Sequence, residues 1–143
     1  MEDLWPDFND PLEDIRMPHE ILNAQAKFLS EKTNGSIYAE VIRLDFNETY
    51  MTDDFDEVEG TLGYRFVIRS RYMEHYKFEL LKIIHDFDFY PVTILLDEKM
   101  CTELGRKKTI FKIHSEFEYL ELLKRVFSSK RLLNVITVMR KIN

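Results

Sequence analysis

The sequence predicts an α+β domain: a five-stranded antiparallel meander packed with an N-terminal helix and two C-terminal helices. Three observations predict it. The densest apolar stretch, Leu62 to Leu96, divides into three consecutive strand patterns joined by polar corners. Apolar residues at helical spacing flank that stretch on both sides. A capping box, Ser115 with Glu118 three residues later, opens the helical C-terminal part.

In chain order, residues 1–17 read as an acidic arm ahead of one domain, 18–143. Pro6 and Pro11 prevent a continuous helix in the arm. Leu4, Trp5, Phe8 and Leu12 give it more hydrophobic surface than a linker needs. Two readings follow. Trp5 and Phe8 dock on the chain's own domain, or they belong to an acidic-aromatic segment that orders on a partner. Pro18 suits the first turn of a helix that runs to Gly35, a residue fit for a left-handed stop. Ile21, Leu22, Gln25, Phe28 and Leu29 fall near one face of that helix. Ser36 to Phe46 reads as the first strand, with Tyr38, Ile42, Leu44 and Phe46 on one side and Glu40 interrupting them.

Asn47 to Thr61 is the longest acidic run. It gathers Asp53, Asp54, Asp56, Glu57 and Glu59 around Phe55. A calcium loop needs glycine at its sixth position, but counting from Asp45 gives Tyr50 and counting from Asp54 gives Glu59. The run reads instead as an acidic hairpin loop, a surface that complements a basic partner.

Leu62 to Tyr72 alternates Leu62, Tyr64, Phe66, Ile68 and Ser70 against Gly63, Arg65, Val67, Arg69 and Arg71. With Met73 to His75 as the hairpin loop, Ile68 faces Leu80, Tyr64 faces Ile84, and Arg69 lies across from Glu79. A second strand runs from about Tyr76 to His85, and a third from Tyr90 to Leu96. Asp97 to Lys108 reads as a loop carrying Arg106, Lys107 and Lys108, and Thr109 to Ile113 as a fifth strand. Beyond Ser115, Leu120, Leu123 and Phe127 make one apolar stripe, with Tyr119, Leu122 and Val126 beside it. Ser128 and Ser129 break the helix. Leu132, Val135, Ile136 and Met139 then follow helical spacing, although the β-branched content leaves a strand open.

A length of 143 residues fits one domain. Cys101 is the single cysteine, so no internal disulfide forms, which fits a reducing compartment. No apolar run reaches the roughly 20 residues of a membrane span, and the acidic N-terminus lacks a secretion-signal pattern. A cytoplasmic protein without membrane partners is expected. The net charge of −6 is uneven: residues 1–60 hold 16 acidic and 4 basic side chains, and residues 61–143 hold 10 and 16.

Chemistry-bearing residues are scattered. His19, His75, His85 and His114 show no ligand spacing, so no metal is expected. Nothing nearby activates Cys101 as a nucleophile. The four glycines do not cluster into a phosphate loop, and no cofactor is expected. The Arg65, Arg69 and Arg71 row suggests a phosphate stripe, but a pI of about 5.3 argues against nucleic acid as a partner. The best enzymatic pattern is Asp97-Glu98-Lys99 with Asp86 or Asp88. That set suits a metal-dependent nuclease of restriction-endonuclease-like type.

By elimination the chain reads as a non-enzymatic interaction module. Its concrete form is an immunity- or antitoxin-like inhibitor of a protein with a basic surface. The residues expected to bind that partner are Trp5, Phe8, Asp53, Asp54, Phe55, Asp56, Glu57 and Glu59. The alternatives are the nuclease and a homodimeric structural protein.

Overall fold

A computed structural model describes residues 1–8, 15–45 and 62–142. In order come α1 (Pro18–Lys32), β1 (Ile37–Arg43), β2 (Leu62–Ser70), β3 (Met73–His85) and β4 (Val92–Leu95). They are followed by α2 (Glu98–Glu103), β5 (Ile110–Ile113), α3 (Glu116–Phe127) and α4 (Lys130–Lys141). The five strands lie side by side in chain order, and every neighbouring pair is antiparallel. This is the expected meander in an α+β arrangement.

One face of the sheet makes the core. Ile37, Phe66, Ile68, Leu81, Ile83, Val92 and Ile94 are all buried there. They share one cluster with Ile21 and Leu22 of α1, Tyr119, Leu122, Leu123 and Val126 of α3, and Leu132 and Met139 of α4. Phe66 meets Phe127 of α3 with ring centroids 5.9 Å apart. Tyr119 is fully buried and donates its hydroxyl hydrogen to the Pro18 carbonyl at 2.9 Å. Burial holds its phenol well above the usual pKa, so it stays a donor.

The β2–β3 register departs from the expected one. Ile68 faces Phe78, Val67 faces Glu79, Phe66 faces Leu81 and Tyr64 faces Ile83. Leu80 has no partner, because a β-bulge sits beside Phe66 and Val67. The bulge has a physical reason. Leu80 and Leu81 are adjacent, yet both join the core cluster, which strict alternation forbids. In β1 the core side is Ile37, Ala39 and Val41, so Tyr38 and Ile42 lie on the opposite face with Glu40.

Three further differences concern helices. α2 stands where a loop was expected. Its Asp97 cap accepts the Met100 N–H at 2.7 Å, and Gly105 ends the turn at φ 74°. In α1, Phe28 is 51% exposed, and the buried edge is Ile21 and Leu22. In α3 the buried stripe is Tyr119, Leu122, Leu123 and Val126, while Leu120 faces out. The segment after Ser129 is helical over Lys130–Lys141, with Ser129 accepting the Leu132 N–H at 3.1 Å. Among the described residues no helix is long and apolar enough to cross a membrane.

The other sheet face carries a small cluster of Leu44, Ile84 and Leu95. Gly63 lets Leu44 close over it. A Cβ at Gly63 would lie 2.9 Å from Leu44 Cδ1 and 3.3 Å from Ile84 Cγ1. Gly63→Ala is therefore expected to destabilise the fold by about 1–2 kcal/mol, the usual cost of overpacking. Chemical denaturation checks this, with an unchanged m-value.

Candidate protein-interaction surfaces

The arm is the first surface. Residues 1–7 form no helix or strand. Asp3 accepts the Trp5 N–H at 3.0 Å, and the Trp5 and Phe8 rings tilt together with centroids 6.0 Å apart. Leu4, Trp5 and Phe8 are 77%, 76% and 75% exposed, so these rings are not docked on the chain's own core. Further along, Arg16 pairs with Glu116 at 2.7 Å and Pro18 accepts the Tyr119 hydroxyl, which ties the arm's base to α3. Asp53, Asp54, Phe55, Asp56, Glu57 and Glu59 lie outside the described residues.

The second surface is the sheet face turned away from the core cluster. Arg69 bonds Glu40 of β1 at 2.9 Å, and Glu79 lies 3.5 Å from Arg65 and 3.8 Å from Lys82. The expected Arg69–Glu79 contact is thus redistributed over three strands. The arginine row is largely compensated, and these half-exposed pairs each stabilise by roughly 0–1 kcal/mol.

The third surface was not foreseen. A groove of about 580 Å³ opens between β3, α2 and α4. Tyr76, Phe78, Val135 and Val138 give it apolar walls, and Lys77, Lys99 and Lys130 stand exposed around it. Its frame is well bonded. Arg131 donates to Asp97 Oδ2 from Nε at 2.8 Å and from Nη2 at 2.5 Å, and its guanidinium lies 5.0 Å from the centre of the Phe78 ring. Glu103 accepts the Lys130 and Arg131 N–H groups at 2.8 and 2.9 Å, capping α4 from a neighbouring helix.

The enzymatic candidates are dispersed. β3 and β4 pair Lys82 with Leu95 and Ile84 with Thr93, so Asp86 and Asp97 lie at opposite ends of the pair. Six residues of strand at about 3.3 Å each put them roughly 20 Å apart, too far to share one ion. Asp97 has both oxygens engaged, one in the helix cap and one on Arg131. Asp86 accepts the Phe87 N–H at 2.9 Å. Among the described residues no three His, Cys, Asp or Glu side chains gather as a metal site. Cys101 is buried, and burial raises its thiol pKa, with Asp97 adding to the rise and Arg106 opposing it.

A histidine and aromatic stack closes the arm's end of the sheet. His19 stacks on Tyr64 at 4.4 Å, and buried His85 sits 6.5 Å from the same ring. Burial lowers the His19 pKa; Glu20 opposes the shift, and His85 and Arg43 reinforce it. Below pH 6.5 the unfolded chain therefore binds a proton at His19 that the fold resists, and stability falls as pH drops through that window. Thermal melts should show the loss below pH 6.5, and a shallower loss in His19→Gln. No protein-family model, curated protein or solved structure matches this chain.

Proposed function

We propose that the chain is a protein-interaction module that inhibits a partner with a basic surface, in the manner of an immunity protein or antitoxin. The observation that carries this reading is the arm: Leu4, Trp5 and Phe8 present their apolar surface to solvent beside Glu2, Asp3 and Asp7. Aromatic rings are costly to leave in water and contribute most when they fill a partner's pocket. The acids around them steer a basic partner into contact and set the register. The acidic run at Asp53, Asp54, Asp56, Glu57 and Glu59 adds a second attachment point for the same partner.

The test is charge reversal. Asp53→Lys, Asp54→Lys, Asp56→Lys and Glu57→Lys together are expected to abolish partner binding with the thermal midpoint nearly unchanged. Retained binding at low salt would contradict the proposal.

A further inference from the structure

We infer that the groove between β3, α2 and α4 seats the N-terminal arm of a second copy of this chain as an added edge strand. The inference goes beyond the reading above and does not need the basic partner, with which the second copy competes for the same arm.

Strand lengths are the starting point. β3 has 13 residues and β4 has 4, and they pair only at Lys82, Ile83 and Ile84. From Met73 to Leu81, β3 therefore has no strand beside it on the β4 side, among the described residues. Such an edge offers a row of main-chain donors and acceptors to an incoming peptide. Tyr76, Lys77 and Phe78 of this edge line the groove.

The groove selects the peptide by chemistry. Its apolar walls suit large side chains, and Lys77, Lys99 and Lys130 repel a basic segment and attract an acidic one. Glu103 is already engaged with the start of α4. Residues 1–8 match these demands: Glu2, Asp3 and Asp7 are interspersed with Leu4, Trp5 and Phe8, and residues 1–7 form no helix or strand of their own. Pro6 has no N–H, so the main chain of residues 3, 5 and 7 faces β3 in the register that loses no bond. In that register Trp5 shares one side with Asp3 and Asp7, and Leu4 shares the other with Phe8. The Trp5 N–H exchanges its bond to Asp3 for one to β3.

Geometry favours a second copy over the chain's own groove. The arm leaves at the α1 end of the sheet, where His19 stacks on Tyr64, and the groove lies toward the Ser70–Met73 corner. Within one chain Trp5 stays 76% exposed. With the large side chains divided between the two sides of the strand, about two of them at roughly 150 Å² each, the walls they cover and reciprocal exchange bury about 1,200 Å² in all, the low end of a stable interface.

Trp5 is the only tryptophan, so its emission reports the arm directly. Sedimentation velocity and Trp5 emission would be followed on the full chain over a wide concentration range. The expected result is a dimer whose formation shifts Trp5 emission to the blue in step with mass. Lys77→Glu/Lys99→Glu and Asp3→Lys/Asp7→Lys each weaken it by about a hundredfold, and combining them restores it. The arm pair lies on exposed residues, so its effect does not depend on the groove variant folding. A monomer at every concentration overturns the inference, whether its Trp5 emission is water-exposed or already blue-shifted in its own groove. A dimer that ignores both charge pairs overturns it too. Charge reversal at 53–57 leaves this dimer intact, so the partner reading and this one fail separately.

Discussion

Phe66→Ala is expected to destabilise the protein by about 3–5 kcal/mol, the range for deleting a buried phenylalanine. Phe66 is 2% exposed in the middle of β2, between β1 and β3, and its ring meets Phe127 of α3. Truncation opens a cavity that sheet and helix cannot both collapse into. A domain of this size has roughly 5–15 kcal/mol in total, so one such loss is a large share of it. The thermal midpoint should fall by about 10 °C. Phe66→Leu keeps most of the volume and should cost about half as much. Equal losses in the two variants would mean that the ring pair, and not the filled volume, holds the layers together.

Asp97→Ala is the second large effect, expected at about 2–4 kcal/mol. It removes the cap of α2, worth roughly 1 kcal/mol. It also leaves the Arg131 guanidinium without its carboxylate over the Phe78 ring, which costs more than the pair itself contributes. Asp97→Asn keeps an oxygen for the cap and should lose only part of this. Arg131→Met combined with Asp97→Ala should cost less than the sum of the two changes, because no charge is left unpaired. Denaturation of the four proteins measures the coupling. A nuclease reading makes the opposite demand: Asp97→Ala would leave stability unchanged and remove Mg²⁺-dependent cleavage.

The meander was legible because Tyr64, Phe66, Ile68 and Ser70 alternate with Arg65 and Arg69, the pattern of a strand with an apolar face and a charged one. The β2–β3 register was not, because adjacent Leu80 and Leu81 look alike in sequence whether or not a bulge turns both inward. α2 was missed because its six residues show no helical period; Asp97 was the one signal, an N-cap residue three before Met100. In α3 two apolar stripes compete, and the Tyr119 hydroxyl reaching the Pro18 carbonyl goes with the burial of Tyr119, Leu122 and Val126, while Leu120 faces out. The arm's exposed rings were legible as one of two readings. The groove was not legible at all, because Tyr76, Lys99 and Lys130 come together only when β3 outruns β4 and α4 folds back over it.

The most direct test of the central claim is capture of the tagged full chain and of Trp5→Ala/Phe8→Ala, side by side, from its source cell at low salt. The account predicts a stoichiometric basic protein on the wild type that elutes as salt rises. It is lost from the variant, although both melt at the same temperature. A partner held equally by both proteins, or no basic partner on either, would contradict it.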